Sequence, residues 1–94
     1  MAFLVVRHKV RDYDKWENGF DLDEPNRWAS GSKGGLILRN VDDPDELVVV
    51  LEWDSAKALR EFTTSQTLKN GMKRSGVIDE PDMYIVDVEE RPRA

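Results

Sequence analysis

Leu47-Val48-Val49-Val50-Leu51-Glu52-Trp53-Asp54-Ser55-Ala56-Lys57-Ala58-Leu59 is the stretch that decides the fold of this chain. Its first five residues are all apolar, and three of them are β-branched. Such a run reads as a strand buried on both faces, because a half-solvated strand would alternate apolar with polar residues. Trp53 closes the strand, and Asp54 or Ser55 is placed to cap the helix that follows. A strand covered on both sides needs a layer on each, and a chain of 94 residues has few elements to supply two layers. A partner chain is therefore expected.

Upstream, a first strand runs over about Ala2 to Val10. Leu4, Val6, His8 and Val10 share one of its faces; Phe3, Val5, Arg7 and Lys9 share the other. Asp12 is a helix cap, with Asp14 and Glu17 placing negative charge in the first turn. Tyr13, Trp16 and Phe20 form an inward stripe at helical spacing. Pro25 breaks or restarts this helix, and a second short segment carries Trp28. Gly31 to Gly35 reads as a loop, and a strand covers about Leu36 to Val41. Asp42-Asp43-Pro44-Asp45 turns that strand into a hairpin with the opening stretch.

Downstream, Ala56, Leu59 and Phe62 line one helix face. Thr63, Thr64 and Ser65 weaken that helix, and Ser65 or Thr67 caps a final one with Leu68 and Met72 inward and Gly76 as terminator. A last strand over about Met83 to Glu89 puts Tyr84, Val86 and Val88 on one face. The tail, residues 91–94, reads as frayed. The order β-α-β-β-α-β describes one α+β domain over residues 1–94, with its core at about 2–89. Two such split units make a ferredoxin-like antiparallel sheet with helices on one face. The other face then needs a second copy, sheet against sheet.

Composition narrows the function classes. The net charge of −5 disfavours nonspecific binding to nucleic acid or to an anionic membrane. Without cysteine there is no disulfide, thiolate nucleophile or cysteine metal site. Met1 to Val6 is too short for a signal core, its basic residues follow rather than precede it, and no segment approaches a membrane span. A cytoplasmic protein is expected. The acidic turn at residues 42–46 lacks the spacing of a calcium loop. Lys69, Lys73 and Arg74 suit a helix C-terminus better than a nucleic-acid patch.

Three blocks carry a resemblance. They are Arg7-His8-Lys9-Val10 with Asp12-Tyr13-Asp14-Lys15-Trp16; Glu52-Trp53-Asp54-Ser55 running to Leu59 and Phe62; and Ser65, Leu68 and Met72 with Gly76-Val77. Together they resemble the dimeric α/β-barrel superfamily, and within it the antibiotic-biosynthesis-monooxygenase-like proteins. That resemblance implies a homodimeric barrel with a ligand cavity on the helix side of the sheet. It also implies that Trp53 corresponds to a pocket tryptophan that packs on flat substrates. Haem-degrading members need an axial histidine where this chain has Met72, and an asparagine on the first strand that is missing here. Haem ligation is therefore not expected. No nucleotide, flavin or zinc motif is present, so neither cofactor nor metal is expected.

His8 is the only histidine and the candidate catalytic residue, since its ordinary pKa lies nearest neutrality. Trp53, Trp16, Phe20, Trp28, Phe62 and Met72 are candidate lining residues for a small planar apolar or aromatic ligand, and Tyr84 is a candidate hydrogen-bond donor to it. Each also has an ordinary structural role: an aromatic stripe at helical spacing is more often core than site. Arg27 and Arg39 could hold an anionic group, although surface arginines usually do not. Two functions fit. One is a cofactor-independent monooxygenase or cyclase-type enzyme acting on a planar phenolic or quinol-like compound, with His8 as base. The other is a noncatalytic ligand-binding or stress-related barrel protein. An open cavity reached by His8 favours the first; a filled interior with His8 tied to a carboxylate favours the second.

Overall fold

A computed structural model describes residues 1–93; Ala94, the end of the tail, lies outside the described residues. Strand β1 (Ala2–Lys9) alternates between buried and half-buried residues along its whole length. Asp12 then caps helix α1 (Tyr13–Leu22), its carboxylate accepting the Lys15 N–H at 3.3 Å. Pro25 sits in the first turn of a separate helix α2 (Glu24–Ser30), where its missing N–H costs nothing. Gly31 ends α2 at φ 117°, and a β-carbon there would press on the Trp53 indole.

Strand β2 (Ser32–Arg39) begins earlier than the glycine-rich sequence suggests. The reason is a bulge between Ser32 and Gly34, with Gly34 at positive φ, which lets the backbone stay paired. A β-carbon at Gly35 would overlap the Val50 carbonyl, so this position also requires glycine. The acidic turn leads into β3 (Glu46–Trp53). Ser55 caps α3 (Ala56–Thr63) and Ser65 caps α4 (Gln66–Ser75), each hydroxyl accepting a first-turn N–H. Gly76 terminates α4 in the left-handed conformation. Strand β4 (Asp82–Asp87) completes the sheet. None of the helices among the described residues is long and apolar enough to cross a membrane.

The sheet is antiparallel in the order β2-β3-β1-β4. This is the ferredoxin-like α+β arrangement, with each crossover helix split in two. Leu4, Val6 and His8 of β1 and Leu47, Val49, Leu51 and Trp53 of β3 point to one face and are buried. Trp16, Leu59 and Phe62 come down on them from the helices.

The opposite face is different. Val48 and Val50 are only half-buried, so the two-sided burial read from the apolar run is not completed within one chain. The strand pairings place Leu36, Val50, Val5 and Tyr84 in one row across this face. Phe3 and Val86 lie next to them. At one end of the patch Arg7 is held by Asp82, Asp79 and Glu46 at 2.8, 3.0 and 3.4 Å. Leu36 and Tyr84 are 59% and 60% exposed, far above what a covered sheet would leave.

Candidate functional site

The pleat of β1 alone sends His8 to the helix side. Its ring is 2% exposed and lies 5.7 Å, edge to face, from the Trp16 indole. Trp16 in turn stacks on Phe20 at 5.0 Å. The Arg27 guanidinium lies over the Phe20 ring, its central carbon 3.6 Å from the ring centroid. Helix α1 supplies Trp16 and Phe20 one turn apart, and the break at Pro25 brings Arg27 of α2 back over them. One continuous wall therefore runs from an imidazole to a guanidinium through two aromatic rings.

This wall bounds a cavity of about 60 Å³. Its floor is Leu4, Val49 and Leu51 of the sheet; Phe62, Leu68 and Met72 face the wall from α3 and α4. Asp23, Asn26 and Arg27 form a polar rim on one side, with Thr67 and Ser75 on the other. The two rims approach closely because they meet at glycines. A β-carbon on Gly71 would strike the Asp23 carboxylate at 2.5 Å, and one on Gly19 would strike Ser75 at 2.8 Å. The void is smaller than the roughly 150 Å³ that holds benzene in an apolar cavity. An aromatic ligand would have to displace part of the wall. Met72 is half-buried and unbranched, the side-chain type that yields at least cost.

His8 Nδ1 is fully buried and has no hydrogen-bond partner among the described residues. The nearest candidate anion, Asp79, is occupied elsewhere: it accepts the Lys9 N–H at 2.8 Å and pairs with Arg7. Those two contacts, the backbone N–H first, hold the Asp79 carboxyl below the usual carboxylate range. Burial lowers the pKa of His8 from its ordinary 6.5, and the weak fields of its own backbone and of Asp79 do not reverse that. Burial thus favours the neutral imidazole.

A stability consequence follows. The unfolded chain takes up a proton at His8 near pH 6.5, while the folded chain resists it until a lower pH. Unfolding free energy should therefore fall as pH drops below 6.5, by at most about 1.4 kcal/mol per pH unit. The loss ends once the folded form is also protonated. Asp43 and Asp79, whose pKa values are lowered from 3.8, act only in more acidic solution, so the windows separate. Denaturant titrations at pH 7.5, 6.5 and 5.5 should show the slope, and His8→Gln should remove it. An unchanged slope in that variant would contradict the assignment.

Trp16, Phe20, Phe62 and Met72 are brought to the cavity with His8. Other candidates are not. Trp53 is fully buried outside the lining, its Nε1–H donating to the Ser30 carbonyl at 2.9 Å while its ring packs behind Phe62 at 4.7 Å. It fixes the corner between α2, β2 and β3. Trp28 projects outward, 71% exposed, because the residue α2 turns to the wall is its neighbour Arg27. Tyr84 lies on the opposite sheet face, since it pairs with Val5 and not with an inward residue. Arg39 stacks on Tyr13 and donates to the Pro44 carbonyl, away from the lining. Sequence reasoning undervalued Arg27, which is 9% exposed and not on the open surface. The signal lay in Asp23-Glu24-Pro25, whose helix break returns residue 27 to the α1 stripe.

The fold is that of solved antibiotic-biosynthesis-monooxygenase-type proteins. A provisionally assigned antibiotic biosynthesis monooxygenase from Bordetella bronchiseptica superposes with a TM-score of 0.75 at 15% identity, covering 93% of this chain and 95% of that one. SnoaB, a cofactor-independent oxygenase from Streptomyces nogalater, gives 0.70 at 16% identity over 98% and 97% of the two chains. Rv0793 from Mycobacterium tuberculosis gives 0.68 at 16% identity over 98% of each. At these identities the likeness establishes a shared fold. No protein-family model and no curated protein sequence matches the chain.

Proposed function

We propose that this protein is a homodimeric, cofactor-independent oxygenase or cyclase-type enzyme acting on a small planar phenolic or quinol-like compound. The observation that carries the proposal is the unpartnered Nδ1 of a buried His8 that lines an aromatic cavity. A buried polar atom without a partner costs about 1–3 kcal/mol. A base that must accept a substrate proton is one reason for a protein to bear that cost. The likeness to a cofactor-independent oxygenase is compatible with the reading.

His8 would take the proton of a ring hydroxyl, leaving an electron-rich phenolate between Trp16 and Met72. The phenolate carries the reducing electrons, and dioxygen is the oxidant. One oxygen atom joins a ring carbon; the other leaves as water, with the proton returned by the histidine and the hydrogen lost from that carbon. The net change is phenol plus dioxygen to quinone plus water. The apolar floor and walls limit competing attack by water.

The dimer belongs to the same reading. Leu36, Val50, Val5 and Tyr84 make a flat apolar row whose simplest complement is the same row on a second copy. Arg7 at its margin is already matched by carboxylates, so its charge does not oppose the contact.

The test is a screen of phenols and quinols, first for binding and then for oxygen consumption by those that bind. The proposal expects at least one compound to be bound and oxidised with His8-dependent oxygen uptake. Compounds that bind in the cavity with no oxygen consumed would favour the ligand-binding alternative.

A further inference from the structure

Arg27 is nine-tenths buried, yet its guanidinium makes one hydrogen bond, from Nη1 to the Phe20 carbonyl at 2.7 Å, and no ion pair among the described residues. Burial lowers its pKa, and Asp23, Glu24 and Asp21 offset this only through space. Asp23, the nearest of these at the rim, is engaged by Arg74 at 3.4 Å. A desolvated guanidinium stacked on a ring keeps its remaining donors in a fixed plane suited to a carboxylate. That plane stands at one end of the aromatic wall, and the unpartnered His8 ring stands at the other.

We propose that the cavity takes a planar aromatic acid, its carboxylate held by Arg27 and its ring laid along Phe20 and Trp16 with the hydroxyl toward His8. The inference rests on the cavity reading above and adds the charge of the ligand. It assigns Arg27 a substrate-binding role that a mere stacking residue would not have. The same contact would fix which edge of the ring meets His8, because one end of the molecule is anchored before the proton moves.

A near-isosteric pair, 4-hydroxybenzoate and 4-hydroxybenzamide, separates charge from shape. Titration calorimetry on the whole protein at pH 7 should show the acid binding at least roughly tenfold more tightly than the amide. Arg27→Gln should weaken the acid by about that factor and leave the amide within about twofold. Arg27→Lys, which keeps the charge but not the planar fork, should fall between. Equal affinities in the wild type, or a preference for the acid that survives in Arg27→Gln, would overturn the inference while leaving the cavity reading intact. Binding of neither compound would overturn both. Should Arg27→Gln fail to fold, the wild-type ratio and the Arg27→Lys variant still decide.

Discussion

Val49→Asp should prevent folding, whereas Val50→Asp should leave a folded chain of half the assembled mass. The two residues are neighbours with nearly identical side-chain surroundings in the sequence, and the pleat alone separates their fates. Val49 is 3% exposed, between the cavity and the core. Its sheet neighbours are Val6, Ile37, Leu47 and Leu51, which offer a carboxylate no hydrogen bond, and an uncompensated buried charge costs about 3–5 kcal/mol. That is a large part of the stability of a domain this small. Val50 lies half-buried in the outer row, between Leu36 and Val5. In the proposed dimer an aspartate there would be covered by the second copy, whereas in the separated chain it stays solvated. Circular dichroism and light scattering read both results. A wild-type monomer, or a Val50→Asp variant that remains dimeric, would contradict the proposed interface.

His8→Ala should lower kcat by roughly 100-fold or more on any phenol that the wild type oxidises, while mass and secondary structure stay as they were. The wild-type rate should rise with pH and level off, because only the neutral imidazole accepts a proton. Burial moves the midpoint below 6.5, so the rate should be flat through neutrality. Trp53→Phe should act differently. It loses the hydrogen bond to Ser30 and loosens the corner behind Phe62, and so should lower stability more than it alters the chemical step. If His8→Ala retained nearly full activity, the base would be elsewhere or the substrate would ionise unaided.

The caps and breaks of this fold are legible because they are local. Asp12, Ser55, Ser65 and Gly76 each act within a few residues of themselves, and each does in the structure what its type and position imply. The sheet faces are legible for β1, where alternation is explicit. They are hidden in residues 47–51, where every side chain is apolar and only pairing with β1 says which ones face the helices. The cavity is harder still. His8, Trp16 and Phe20 share it because a strand and a helix meet at a particular height, a distance that no spacing in the sequence encodes. Trp53 and Trp28 look equivalent as aromatic residues near helix ends. One is locked under Ser30, and the other is left outside by the rotation of a seven-residue helix. Arg27 is legible as a possible anion-holding residue, but its burial is not, because that depends on the angle between α1 and α2.

Because the chain has a single histidine, its imidazole can be observed directly. Nitrogen-15 NMR of the histidine-labelled protein at pH 7, with and without 4-hydroxybenzamide, tests the central claim that His8 is a free, neutral base facing a ligand cavity. The expected result is a neutral ring that titrates below 6.5 and whose nitrogen shifts move on addition of the phenol. A ring already protonated at pH 7, or one whose shifts ignore the phenol while it binds, would contradict it.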